Sequence, residues 1–368
     1  MAQRRKPIRD TKRKRESDPF VLNKHCLAWK ELSQKQIMSS WDREKPTVSI
    51  SCLTFNHAKY IEQCIQGFLM QETAFPYEII IHDDASTDGT VDIIRRYENR
   101  YPQIIKPIYE SANQAADRNT DVQMKMYDRM IGKYIAFCEG DDYWLDPHKL
   151  QKQFDFLETN EEFFAVGNLT RVLCEAGRSA ETFIDTKSGE YCIRDLNNWR
   201  LFAHFSSYFT RNFCNLMSRE DLRSFLALKC PGDRKFPFLF LRYGKLFVLP
   251  FWGSVYRFQS GDQCFTLSKA YDNRLVLWEE CAEVAKYAES IGVKFDSRKR
   301  EQEVLTYLLI DYFSEKNAEN YEKVKKIRNS TLLRDMNVCK WFFIRYCVRR
   351  CKKIMRPKKL CVLHFEIQ

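Results

Sequence analysis

Three carboxylates stand within four positions of the segment CEGDDYWLDP: Glu139, Asp141 and Asp142. The apolar run KYIAFC (133–138) leads directly into them, so they follow what reads as a buried strand. Like charges this close repel one another, so the segment is either a solvated turn or a site for a positive ion. Carboxylate oxygens are ligands that Mg²⁺ and Mn²⁺ prefer. The spacing alone leaves both possibilities open.

Alternating strands and helices precede this acidic segment. Runs of β-branched and apolar residues predict strands at 47–55, 77–84, 104–110 and 133–138, and apolar residues at helical spacing predict a helix at 58–71. Elements in this order form βαβ units around a parallel sheet. Such sheets bind their ligands beyond the carboxyl ends of the strands, so we expect an α/β fold with a site at that edge.

The residues that close the predicted strands suit ligand contacts. Thr54, Phe55 and Asn56 end the first strand, and Asp83 and Asp84 end the second. Neither GxGxxG nor GxxxxGK[ST] occurs, so the dinucleotide-binding and P-loop classes lose their main support. Carboxylates repel phosphate, but a divalent cation held by them binds it. We therefore expect Mg²⁺ or Mn²⁺ carrying a diphosphate at this edge.

The basic charge of the chain is concentrated near its two ends. The net charge is +11, but residues 1–15 carry eight Lys or Arg and one acid, and residues 338–359 carry nine and no acid. The remaining body is slightly acidic. This distribution disfavours a basic groove through the fold, and with it a nucleic-acid-binding protein.

The cysteines and the hydropathy pattern bear on metal type and location. None of the 14 cysteines forms a C-x-x-C pair, which disfavours zinc and favours reduced thiols. The start, MAQRRKPIRDTKRKR, is charged, and no apolar run approaches the roughly 18–20 residues that a membrane span needs. We expect a cytoplasmic protein.

Three motifs together resemble the family 2 glycosyltransferases, which have the GT-A fold. They are VSISCLTFN, EIIIHDDASTDGT and EGDDYW, in that order, within about residues 46–175. The resemblance implies a mostly parallel central sheet flanked by helices. It also implies transfer of a sugar from a nucleotide diphosphate donor, usually a uridine one, with inversion of the anomeric centre and with Mg²⁺ or Mn²⁺ as cofactor.

The resemblance also implies roles for individual residues. Asp84 would accept a hydrogen bond from the ring N–H of uracil and Asp83 would support it, while a helix N-cap is the alternative for both. Asp142 would bind the metal ion with Glu139 beside it, and Asp141 would bind ribose or sugar hydroxyls. The nucleotide pocket would further contain Thr54, Phe55, which would lie against the base, and Asn56.

A candidate general base lies in the second half of the chain. Gly232–Asp233 opens an apolar helical run that stops at Gly244, and KLFVLPFWGSVYRF follows as a strand. This layout resembles the acidic catalytic motif of the family, so Asp233 would take the proton of the acceptor hydroxyl. The alternatives are an N-cap role for Asp233 and Asp262 as the base.

Other segments of the second half are assigned by pattern alone. The spacing predicts strands at 163–174 and 204–213 and helices within 266–330. Gln259 stands where many relatives of the family carry His, which puts an imidazole contact to the diphosphate or metal in doubt. We expect three regions: a basic extension (1–45), a GT-A domain (46–265) and a helical C-terminal region (266–368).

The basic C-terminal segment 338–359 also contains Trp341, Phe342 and Tyr346. It fits a lipid interface facing anionic headgroups and, equally, a solvated helix with one core-facing side. Taken together, the sequence predicts a metal-dependent inverting glycosyltransferase of bacterial surface-glycan synthesis, peripheral on the inner face of the membrane. Its donor would be a UDP-sugar and its acceptor a glycan or a lipid-linked sugar. The alternative is an inactive nucleotide-sugar-binding or scaffold protein of the same fold.

Overall fold

A computed structural model of the chain describes residues 31–114, 120–174, 186–198, 202–228, 230, 232–258 and 274–295, and helical residues 302, 306, 309 and 310. The strands in these ranges are β1 (Val48–Thr54), β2 (Tyr77–Asp83), β3 (Ile105–Tyr109), β4 (Tyr134–Phe137), β5 (Tyr143–Trp144), β6 (Phe163–Cys174), β7 (Gly189–Tyr191), β8 (Phe209–Arg211) and β9 (Lys245–Phe258). The α-helices are α1 (Gln34–Met38), α2 (Ile61–Leu69), α3 (Thr90–Arg100), α4 (Thr120–Arg129), α5 (Lys149–Thr159), α6 (Arg219–Leu226), α7 (Gly232–Tyr243) and α8 (Arg274–Ser290).

One half of the sheet is parallel. Its order is β3-β2-β1-β4, and each neighbouring pair runs in the same direction. All seven residues of β2 are buried, including the polar Glu78, His82 and Asp83, as is typical of a strand inside a parallel sheet. The helices α2 and α3 connect the first three strands, as the alternating pattern predicts. The carboxyl ends of β1 and β2 lie side by side, with Thr54 paired to Asp83.

The other half makes the sheet mixed. Within the described residues, β8 runs antiparallel to β4 and to β6, while β9 runs parallel to β6 and antiparallel to β5 and β7. The short strand β5 directly follows the acidic segment. Its pairing of Tyr143 with Val255 and of Trp144 with Ser254 fixes that segment against β9.

Aromatic side chains fill the core between the sheet and α7. Phe137 of β4 lies 4.8 Å from Phe205 and 5.3 Å from Phe236, measured between ring centroids. Tyr287 of α8 lies 5.9 Å from Phe225 of α6 and extends this core, so α8 packs against α6. No helix in the described part of the chain is long and apolar enough to cross a bilayer.

One local prediction is wrong. The segment 204–213 is a strand only at Phe209–Arg211, because Phe205–Ser207 form a 3-10 turn. The N-cap of helix α3 is Gly89, with φ of 98° and no side-chain cap. Glycine suits this position because a left-handed backbone costs it little.

Candidate active site

Two loops at the carboxyl edge of the sheet are joined by hydrogen bonds. The Asp84 N–H donates to the Thr54 carbonyl at 3.0 Å. The Asn56 N–H donates to Ser86 Oγ at 2.8 Å, and the Thr87 N–H donates to Asn56 Oδ1 at 2.8 Å. Asn56 adopts a positive φ of 53°, which Asn tolerates better than most residues. Asn56 thus links the loop that follows β1 to the loop that follows β2, at the predicted nucleotide pocket.

The remaining residues predicted for this pocket lie on the same edge. Thr54 is buried, and its Oγ1 is 3.2 Å from His57 Nδ1, while Phe55 is half-buried. Asp83 accepts from the Ser86 N–H at 3.0 Å. Asp84 is almost buried and accepts from the Gln114 N–H at 2.8 Å. Since α3 begins after Gly89, neither aspartate is its N-cap.

The acidic segment brings its three carboxylates together. Ligand oxygens of Glu139, Asp141 and Asp142 all lie within 4.8 Å of one another. Their exposure differs, since Glu139 is exposed, Asp141 half-buried and Asp142 buried. The Gly140 N–H donates to the Leu53 carbonyl at 2.8 Å, which holds the segment against β1.

Asp142 is anchored by donors from distant parts of the chain. Its Oδ1 accepts from the Arg257 backbone N–H at 2.9 Å, and its Oδ2 accepts from the Ser206 hydroxyl. His204 Nδ1 lies 3.5 Å from Oδ2. Only 1% of Asp142 is exposed, so the side chain is part of the packed interior as well as of the cluster.

The pKa values of Asp142 and Glu139 are raised in this environment. Burial raises the pKa of Asp142 well above its ordinary value, and the charge of Asp141 adds to the rise. The pKa of Glu139 is also raised, mainly because surrounding protein atoms remove water from the carboxylate, and further by the charges of Asp141 and Asp233. The side chain of Glu139 nevertheless still reaches solvent. Three carboxylates grouped this closely are a fitting donor set for Mg²⁺ or Mn²⁺.

Asp233 acts electrostatically on this cluster. It is half-buried in the first turn of α7, which begins at Gly232, so it follows the start of the helix and does not precede it as an N-cap would. Its charge raises the pKa of Glu139 and opposes the burial-induced lowering of the pKa of His204, which indicates proximity to both. Its neighbour Arg234 pairs with the buried Glu280 of α8 at 3.1 Å.

Several predicted features lie outside the described residues: Gln259, Asp262 and the segment 338–359. Sequence reasoning missed Ser206 and His204 as neighbours of Asp142. Their segment, HFSS, is predicted only as strand. Ser206 and Asp142 are 64 residues apart in the chain, so local sequence does not reveal their contact. The predicted strand KLFVLPFWGSVYRF also gives no sign that the backbone N–H of Arg257 binds Asp142.

Comparison with known proteins points to one family. Residues 49–213, which are less than half of the chain, match the model described as Glycosyl transferase family 2. The resemblance predicted from the three motifs is confirmed for this segment, and the α/β architecture agrees with the predicted fold class.

Individual relatives match over a similar region. An uncharacterised protein of Mycobacterium tuberculosis is 40% identical over 136 residues, which are 37% of this chain and 38% of that protein. The Escherichia coli enzyme WfaP, named as a UDP-Glc:alpha-D-GlcNAc-diphosphoundecaprenol beta-1,3-glucosyltransferase, is 36% identical over 121 residues, or 33% of this chain and 45% of that one. The match thus spans less than half the length of these relatives.

Among solved structures, Staphylococcus aureus TarS 1–349 in complex with UDP-GlcNAc aligns with a TM-score of 0.46 at 15% identity. The alignment covers 77% of this chain and 91% of that one. This is a distant likeness.

Proposed function

We propose that this protein is a glycosyltransferase that moves a sugar from a uridine diphosphate donor to an acceptor in bacterial surface-glycan synthesis. The observation that carries the proposal is the grouping of Glu139, Asp141 and Asp142 at the carboxyl edge of the parallel strands, within a family 2 domain. Ligands of open α/β sheets bind at that edge. The WfaP name describes a sugar acceptor linked to diphosphoundecaprenol, which supports a lipid-linked or glycan acceptor.

The three carboxylates would hold Mg²⁺ or Mn²⁺. When bound, the cation would neutralise the charge of the departing diphosphate, so that the leaving group needs no proton. Asp142, held by Arg257 and Ser206, would fix the position of the cluster as well as contribute to it. Asp141 would in addition reach ribose or sugar hydroxyls.

The joined loops of β1 and β2 would bind the nucleoside. Asp84 would accept from the ring N–H of uracil, and Phe55 would lie against the base. Asp83 would support Asp84, and Thr54 would line the pocket beneath them. These residues are preorganised, since hydrogen bonds between the two loops fix their backbone before a ligand arrives.

Asp233 would act as the general base. Its carboxylate would take the proton of the acceptor hydroxyl while that oxygen attacks the anomeric carbon from the face opposite the diphosphate. The bond from the anomeric carbon to the diphosphate oxygen breaks as the new glycosidic bond forms, so the configuration inverts. The location of Asp233 in the first turn of α7 and its electrostatic effect on Glu139 support this role.

Release of UDP from a panel of UDP-sugars, with Mn²⁺ and a lipid-linked sugar acceptor, tests this function. We expect release that requires the metal and falls at least about a hundredfold in Asp141→Asn. Binding of UDP without any cleavage of a UDP-sugar would favour the alternative, an inactive nucleotide-sugar-binding protein of the same fold. Absence of UDP binding would contradict the nucleotide site itself.

We further propose a location at the cytoplasmic face of a membrane, where a lipid-linked acceptor is available. The nine basic residues in 338–359 support it, because each Lys or Arg near an anionic surface adds about 1 kcal/mol of attraction. Sedimentation with phosphatidylglycerol vesicles at low and high salt is the test. Binding that is lost in high salt, and lost after deletion beyond Asn337, is expected, whereas no binding at low salt would contradict it.

A further inference from the structure

Helix α8 packs against the rest of the chain through a buried stripe that contains one acid. Val284, Tyr287 and Ala288 are the apolar members of this stripe. The Tyr287 ring lies 6.1 Å from that of Phe238 in α7, between centroids. Glu280, one helical turn before Val284, belongs to the same stripe and is only 3% exposed. A carboxylate at this place costs free energy, because burial removes the water around it.

The hydrogen-bond donor to this carboxylate is the neighbour of the proposed base. Arg234 Nη1 donates to Glu280 Oε2 at 3.1 Å. Arg234 lies in the first turn of α7, directly after Asp233. The hydrogen bond therefore links α8, which lies beyond the segment 49–213 matched by the family model, to the turn that carries Asp233.

Burial makes this ion pair a poor source of stability. It raises the pKa of Glu280 to about 7, and the charges of Asp233 and Glu283 raise it too. Arg234 opposes this rise but does not cancel it. A raised pKa means that the folded state disfavours the ionised carboxylate relative to the unfolded chain. Since an apolar side chain would often serve the packing equally well, the pair is better explained by what it holds in place.

We propose that Glu280 is a positioning residue for the transfer reaction, which acts through Arg234 to hold the first turn of α7 and with it Asp233. This inference rests on the proposed function and adds the C-terminal helix α8 to the parts that the reaction needs. The charge of Asp233 acts on both Glu139 and Glu280, so the same turn lies near the carboxylate cluster and near α8. A general base has to stay within hydrogen-bond reach of the acceptor hydroxyl, so a small shift of this turn slows proton transfer.

Transfer kinetics of Glu280 variants of the full chain test this role, at about pH 8, where the carboxylate is mostly ionised. Glu280→Leu removes the hydrogen bond and keeps a side chain that suits the buried stripe. We expect kcat to fall about 10- to 100-fold, as for a reacting group displaced by about 1 Å, while UDP affinity with Mn²⁺ stays within about twofold. Glu280→Gln, whose amide oxygen still accepts from Arg234, should restore kcat to within about threefold of wild type. Glu289→Leu, at an exposed position of α8, is the matched control and should leave kcat unchanged.

Two further variants separate positioning from packing. Arg234→Met removes the same ion pair from the half-buried side, so it should lower kcat as Glu280→Leu does, and it decides the question if Glu280→Leu does not fold. In an Asp233→Asn background, Glu280→Leu should slow transfer no further, because no base is left to position.

The outcomes distinguish this inference from the proposed function. Wild-type kcat in Arg234→Met or in folded Glu280→Leu, or a full additional loss in the Asp233→Asn background, would overturn the positioning role. A loss of rate that only follows a loss of folded protein in circular dichroism would overturn it too. If Asp233→Asn itself transfers at the wild-type rate, the proposed base fails and this inference fails with it. A slow Asp233→Asn beside fully active Glu280 and Arg234 variants rejects the positioning role alone.

Discussion

Asp142 should be a structural anchor as well as a member of the metal site, and two substitutions separate these roles. Its carboxylate accepts hydrogen bonds from the Arg257 backbone N–H and the Ser206 hydroxyl, and the side chain is 1% exposed. Asp142→Asn can keep both contacts, since the amide oxygen accepts from Arg257 and the amide nitrogen donates to Ser206. Asp142→Ala loses both and leaves the Arg257 N–H buried without a partner.

The expected free energies of unfolding follow from these contacts. A buried donor left unpaired costs about 1–3 kcal/mol, and a serine hydroxyl that has to find another acceptor adds less. We expect Asp142→Ala to lose about 2–4 kcal/mol without metal. The free energy of unfolding of Asp142→Asn should be within about 1 kcal/mol of the wild-type value or higher than it, because burial and the charge of Asp141 already disfavour the ionised form of Asp142.

Urea unfolding in the presence of a chelator measures these differences. Asp141→Asn is the matched control, since it removes a neighbouring charge from a half-buried position. Both Asn variants should also bind Mn²⁺ more weakly than wild type. An Asp142→Ala variant as stable as wild type would refute the anchoring contacts. Equal destabilisation of the Ala and Asn variants would show that the charge, and not the hydrogen bonds, sustains the fold here.

Other perturbations reach different parts of the site. Burial raises the pKa of Glu280 to about 7, so the folded state holds this proton more tightly than the unfolded state does. The free energy of unfolding of the wild type should therefore fall by up to about 3 kcal/mol between pH 4.5 and 8. Glu280→Gln should flatten that slope in pH-dependent urea unfolding, whereas the exposed control Glu289→Gln should keep it. Asp233→Asn should leave donor affinity nearly unchanged in calorimetry but slow transfer by about 10²–10⁴; weakened donor binding with full turnover at saturation would argue against a base. Gly140→Ala should cost about 1–3 kcal/mol, because the new Cβ would lie 2.6 Å from Thr54 Oγ1; an unchanged melting temperature would contradict that crowding.

Much of the fold was predictable because buried strands require apolar runs. The strands predicted at 163–174 and 245–258 are confirmed, and those ending near Thr54 and Asp83 are confirmed to within a residue or two. The close grouping of Glu139, Asp141 and Asp142 follows from local sequence alone. Their roles stay predictions, since chemistry at a strand end depends on what the site binds.

What the sequence did not reveal depends on contacts between distant residues. Asp142 is buried against Ser206 and Arg257. These partners lie 64 and 115 residues further along the chain, so the local sequence gives no sign of the burial. The segment 204–213 has strand-like composition, but His204 accepts from the Ser206 N–H and turns the backbone into a 3-10 turn. No local pattern distinguishes this 3-10 turn from a strand.

Binding of UDP with and without Mn²⁺ tests the central claim most directly, since that claim is a divalent cation held by the carboxylate cluster and bound to a nucleotide diphosphate. Titration calorimetry of the full chain should give UDP binding that is at least about tenfold tighter with Mn²⁺ than with a chelator. Asp141→Asn should remove that difference, while Gln103→Met, at an exposed turn before β3, should preserve it. Equal affinity in chelator and in Mn²⁺, or a metal effect that survives Asp141→Asn, would contradict the account.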